Sequence, residues 1–195
     1  MPNLMDAIKA THNAKDLVVS DECPLITKRF EGCVLEAYQD TGGVWTIGYG
    51  HTGSDVTPGM VIDMDTALQL LKQDLNEHAD YVREAVSVPI TQYQFDALAD
   101  WTFNLGGHAL MESTLLSKVN ASASDDEIAY EFMRWVYDNG QWLHGLTKRR
   151  QAEALLFCGM DSLDFGEWKS YNKRRYKKWL NTVDFKAVEL ERYGH

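Results

Sequence analysis

Cysteine is scarce in this chain, and the three present, Cys23, Cys33 and Cys158, follow no CxxC or metal-ligand spacing. An odd, scattered set of this kind supports neither a disulfide framework nor a zinc site, and its simplest reading is small buried thiols. No metal and no cofactor are therefore expected. Long apolar runs are missing as well. No window holds the roughly 18 consecutive apolar residues that a membrane span requires. The N-terminal "MPNLMDAIKATHNAKDLVV" lacks a basic stretch followed by an apolar one. No secretory signal is expected, and synthesis is placed in the cytoplasm. Positive charge is in short supply: 19 Lys and Arg against 29 Asp and Glu leave a net charge of −10, which argues against a general nucleic-acid binder. Internal repeats and low-complexity linkers are absent too.

What remains is the composition of a soluble globular protein, 45% hydrophobic and 25% charged over 195 residues, enough for one domain with extensions. Residues 1–18 are weakly amphipathic, and 1–20 are set apart as an N-terminal extension. A first core helix is expected over about 21–31, stopped by Gly32. "LEAYQDTGGVWTIGYG" is rich in β-formers around a Gly-Gly turn and reads as a β-hairpin. Apolar residues at 68, 71, 75, 79, 82 and 86 repeat with helical period and predict one long helix over about 63–86. Thr91 with Gln94, and Ser124 with Glu127, are capping-box pairs. They open a helix ending at "NLGG" and another stopping at "DNG". A last core helix is expected over about 146–157. The layout is α+β: a small β-hairpin lobe, a larger helical lobe, a long helix joining them and a cleft between.

Within "EGCVLEAYQDTGGVWTIGYGHTG", residues 31–53, three side chains stand at suggestive spacing: Glu31, Asp40 and Thr46. Glu31 falls at the expected C-terminal end of a helix, near Phe30. The dipole and apolar neighbours would both favour a retained proton, which a general acid needs. If the turn is 41–43, Asp40 faces Val44, and Thr46 becomes its diagonal neighbour on the same face, roughly 7–8 Å away. A water fits between a carboxylate and a hydroxyl at that range. A protonated carboxyl, an ionised one and a held water make an inverting glycosidase. Two carboxylates nine apart are also common on protein surfaces, so the spacing alone does not decide.

The pattern E-x8-D-x5-T followed by "GYGHTG" resembles the signature of the phage-type lysozymes, the endolysins of glycoside hydrolase family 24. Three further segments match that family in order: "ITQYQFDALADWTFNLG" (90–106), "STLLSKVN" (113–120) and "GLTKRRQAEALLF" (145–157). The resemblance covers about residues 22–158. It implies a two-lobed lysozyme-like fold over residues 21–159. It also implies hydrolysis of the β-1,4 bond between N-acetylmuramic acid and N-acetylglucosamine in a peptidoglycan glycan strand. Glu31 then matches the family's acid, Asp40 its water-activating carboxylate and Thr46 its active-site threonine. By the same analogy Arg149 approaches and orients Glu31. His51 either contacts ligand or ties the hairpin to the helical lobe. Asn104 either lines the cleft or caps a helix. Trp101, Trp135 and Trp142 are read as core.

The resemblance further implies host cell lysis by a monomer that is made in the host cytoplasm. Such an enzyme reaches the wall in the periplasm with the help of a membrane-permeabilising holin. Two other readings stay open: a virion-associated lysozyme for entry, and a non-catalytic wall- or membrane-binding module, which the intact Glu31, Asp40 and Thr46 disfavour. Residues 160–195 form a C-terminal extension. Residues 161–195 carry eight Lys and Arg and six Asp and Glu, a net of +2 that leaves −12 for the rest. Within it "WKSYNKRRYKKW" (168–179) holds six cations and no acid beside an aromatic stripe. It reads as an amphipathic basic helix that either docks on the acidic body or meets anionic lipid or lipopolysaccharide.

Overall fold

The structure, a computed structural model, describes residues 10–159. The basic segment 168–179 lies outside the described residues. The long helix expected from the apolar period is α2, Met64–Ala85. Asp63 caps it, its side chain accepting from the Thr66 N–H at 2.8 Å. One stripe of α2, with Leu71, Leu75, Ala79 and Val82, is fully buried. Each such leucine contributes about 2 kcal/mol of burial. The stripe packs on α3, Gln92–Leu105, which opens with the Thr91–Gln94 capping box and closes at Gly106. Gly106 has a φ of 87°, in the left-handed region that glycine favours.

Three short helices follow, α4 (Gly107–Glu112), α5 (Thr114–Asn120) and α6 (Asp125–Met133). The last opens with the Ser124–Glu127 capping box. It ends earlier than "DNG". That tripeptide instead turns a small hairpin, β6 (Tyr137–Asp138) against β7 (Gln141–Trp142). Asn139 and Gly140 have φ of 47° and 75°. Positive φ at both central residues is the Asn-Gly hairpin geometry, and it prevails over helix continuation. Helix α7, His144–Phe157, then crosses the lobe, and its buried face includes Arg149, Arg150 and Glu153.

The smaller lobe is a three-stranded antiparallel sheet in the order β2–β3–β4: Val34–Gln39, Trp45–Gly48 and His51–Thr52. The expected hairpin is thus extended by a third strand. Ahead of it, α1 is only Cys23–Thr27. The helix expected over 21–31 stops after five residues, and the N–H groups of Phe30 and Glu31 both donate to the Thr27 carbonyl, at 2.9 and 3.2 Å. Thr27 also donates its hydroxyl to Asp100 on α3 at 2.6 Å, a tertiary tie at the point where the helix ends.

Part of the segment set apart as residues 1–20 is built into the helical lobe. Strand β1, Thr11–His12, pairs with β5, Ile90–Thr91. Ala14, Leu17 and Val19 join the main core, and Ser20 hydrogen-bonds Asp96 through its N–H and its hydroxyl. These apolar residues follow no helical period, so periodicity does not reveal them.

Candidate active site

The hairpin turn has the geometry expected of it. The Asp40 N–H donates to the Val44 carbonyl at 3.0 Å, and Tyr38 and Thr46 are register partners. Asp40 and Thr46 are therefore diagonal neighbours on one face of the sheet. The Asp40 carboxylate is exposed, and its Oδ1 accepts from the N–H groups of Gly42 and Val44 at 2.8 and 2.9 Å. Those bonds fix the carboxylate to its own turn. Thr46 is 4% exposed and donates its hydroxyl to the Val44 carbonyl at 3.1 Å, which leaves its oxygen lone pairs as acceptors.

Glu31 is held from the other lobe. Its side chain is 28% exposed, and Oε1 accepts from Nη1 of Arg149, which is itself nearly buried. The dipole argument weakens here, because α1 has five residues and Glu31 stands beyond its end. The dominant neighbour is the guanidinium. Arg149 in turn is gripped by Asp100, Nε to Oδ2 at 3.1 Å and Nη2 to Oδ1 at 3.0 Å. It also approaches Glu153 Oε1 at 3.4 Å and lies over the Phe30 ring, 5.8 Å from its centroid. Burial would push the Asp100 carboxyl up, but Arg149 and hydrogen bonds from Glu153, Arg149 and Thr27 hold it below its ordinary range.

His51 makes the structural tie. Nδ1 meets Asp74 of α2 at 2.8 Å and Nε2 meets Asp55 at 3.1 Å, so the ring pins β4 to the long helix. Burial lowers its pKa, yet the hydrogen bonds to Asp74 and Asp55 outweigh this and hold it above the ordinary value. Asp74 is pushed up by its own burial although His51 pulls it down. Asn104 does not cap α3, whose C-cap is Gly106. Its side-chain oxygen accepts from Arg150 Nη2 at 2.8 Å. Trp101 is fully buried and meets Trp135 edge-on at 4.9 Å. Trp142 departs from the core reading: it is 49% exposed on β7.

Sequence reasoning passed over Thr27, Asp100 and Glu153. One signal was available. Asp100 interrupts the apolar run "ALADW", and a charge there needs a buried partner.

A helical lobe beside a small antiparallel sheet, with a carboxyl on each, is a layout that suits a two-carboxylate glycoside hydrolase. The phage lysozyme family model matches residues 28–153, and the chain belongs to that family. It is 41% identical to an endolysin of Acyrthosiphon pisum secondary endosymbiont phage 1, over 71% of this chain and 97% of that one. It is 43% identical to an endolysin of Bacillus phage B103, over 70% of this chain; the chain spans about half of that relative, 52%. In structure it resembles the muramidase domain of SpmX from Asticaccaulis excentricus, with a TM-score of 0.64 and 37% identity over 71% of this chain and 96% of that one. The activity that goes with membership is that of an endolysin-type muramidase acting on the peptidoglycan of the cell wall.

Proposed function

We propose that the chain cleaves the β-1,4 bond between N-acetylmuramic acid and N-acetylglucosamine with inversion, using Glu31, Asp40 and Thr46. The observation that carries this is the division of labour between lobes. Glu31 is held by Arg149 on the helical side, while Asp40 and Thr46 share a face of the sheet. Glu31 protonates the leaving glycosidic oxygen. Asp40 takes a proton from a water that also donates to the Thr46 oxygen, and that water attacks the opposite face of the sugar. Asp40 has the freedom to do so, because Oδ1 is engaged by the turn and the carboxylate is open to solvent.

The biological role that fits is lysis of the host from within, by a monomer made in the cytoplasm and passed to the periplasm by a holin. Among the described residues no helix is long and apolar enough to cross a membrane.

The test is turbidity loss of purified cell walls with Glu31→Gln beside the parent. The amide keeps the shape and the Arg149 contact but has no transferable proton. Activity should fall about 10²–10⁴-fold. A variant within tenfold of the parent removes Glu31 from the role, and a first-formed product with retained configuration removes the inverting mechanism.

A further inference from the structure

Behind Arg149 lies a pair of acids that the proposed chemistry does not use. Asp100 and Glu153 are 1% and 0% exposed in their side chains, and both face the same guanidinium. Arg149 Nε stands 3.1 Å from Asp100 Oδ2 and 3.4 Å from Glu153 Oε1, so the two carboxyl groups flank a single N–H. Two ionised carboxylates in contact in a dry interior repel strongly.

The two carboxyls differ in the donors around them. Asp100 has donors at both oxygens: Thr27 and Arg149 Nη2 at Oδ1, and Arg149 Nε at Oδ2. Glu153 is poorer. Its Oε1 accepts from Arg150 Nη2 at 2.6 Å, while Oε2 is buried with no donor among the described residues. An ionised carboxylate would leave that oxygen unsatisfied at a cost of a few kcal/mol. A carboxylic acid has a proton to donate and can give it to Asp100. Burial, with the nearby Asp100 charge adding to it, outweighs the pull of Arg150 and Arg149 and holds Glu153 well above the ordinary carboxyl range.

We propose that Asp100 and Glu153 share one proton and act as the positioning pair of the site, fixing through Arg149 the direction of the Glu31 carboxyl. The geometry that implies this is a buried carboxyl pair on one arginine whose third contact is Glu31. Glu153 donates to Asp100, and Asp100 stays ionised. Asp100 holds Nε and Nη2 along one edge of the guanidinium and leaves Nη1 for Glu31. Arg150, tied to Glu153 and Asn104, holds Glu153 in turn. The arrangement fixes the Glu31 carboxyl from the protein side, so substrate does not have to order it. This inference rests on the reading of Glu31 as the acid.

Asp100→Asn and Glu153→Gln test it on the full chain. In Asp100→Asn an amide N–H confronts a guanidinium N–H and the fork is released. The turnover number should fall up to about 100-fold with KM little changed. Glu153→Gln mimics a neutral acid, since its amide can donate to Asp100 and accept from Arg150. Activity should stay within about threefold of the parent, the scale of exchanging one neutral hydrogen bond for another. Infrared difference spectra supply a readout that packing does not move. The carbonyl band of a buried neutral carboxyl should vanish in Glu153→Gln and persist in Glu31→Gln.

Should Asp100→Asn fail to fold, Thr27→Val removes one donor from Asp100, and Thr27→Ser restores it. The turnover number should drop in the first and recover in the second. Parental turnover in Asp100→Asn, or in Thr27→Val where that variant stands in, overturns the positioning role even if Glu31→Gln is dead. A neutral-carboxyl band unchanged in Glu153→Gln, or a Glu153→Gln loss as deep as that of Asp100→Asn, overturns the shared proton.

Discussion

The two halves of the site are anchored by different physics. On the helical side, Glu31 is held by a side chain that is itself buried and bound to two further buried acids. On the sheet side, Asp40 is exposed and held by N–H groups of its own turn, two and four residues away. The half proposed to carry the acid therefore draws its geometry from tertiary ion pairing, and the half proposed to carry the base from local backbone. Ion pairing in the interior is costly to break and fixes direction tightly. A turn is cheap to alter and leaves one carboxylate oxygen open to the water it would activate.

The strongest test of this contrast is Arg149→Leu. It strips Asp100 of its guanidinium and leaves a buried charge uncompensated, which typically costs about 3–5 kcal/mol. Chemical denaturation should show a lowered midpoint of that order, together with loss of activity. A midpoint equal to the parent's would mean the acid half is no more deeply anchored than the base half.

A smaller effect is expected at the joint between the halves, His51. Its folded-state pKa is raised above the unfolded value, so the native state binds the proton more tightly. The stability it adds is full below about pH 6.5 and is lost as pH rises through the higher folded-state value. The slope is at most about 1.4 kcal/mol per pH unit, one proton's worth. Asp74, also raised by burial, acts with the same sign at lower pH, and Asp55, which His51 holds down, with the opposite sign. Melting His51→Asn beside the parent across neutral pH should show the gap between them closing as pH increases. A gap that stays constant would remove the ion-pair account of how the sheet is pinned to α2.

The smallest structural effect belongs to Asp40→Asn. The amide oxygen can still accept from Gly42 and Val44, so stability should change by no more than about 0.5 kcal/mol. Cell-wall hydrolysis should nonetheless fall about 10²–10⁴-fold, because an amide is no base. A large loss of stability would show that the exposed carboxylate supports the fold as much as the chemistry.

The hairpin that carries the proposed base was legible in the chain. Spacing of two around a Gly-Gly turn decides which side chains share a face, and Asp40 opposite Val44 follows from the turn alone. The long helix and both capping boxes were legible for the same reason: period and cap are matters of three or four residues. The "DNG" segment was misread because a helix stop and an Asn-Gly hairpin share residue types. The early end of α1 was not legible either, since the helix stops where Thr27 ties to α3.

The acid half shows the other kind of information. Glu31 and Arg149 are 118 residues apart, and Arg149 and Asp100 are 49 apart. No period relates residues at such separations. Sequence determined the long helix, the capped helix starts, the hairpin register and, through ordered motifs, the family. The partners of Glu31 were decided by packing α1, α3 and α7 together. Only that packing brings two arginines and two acids together in the interior, where the donors around each carboxyl decide which one keeps its charge.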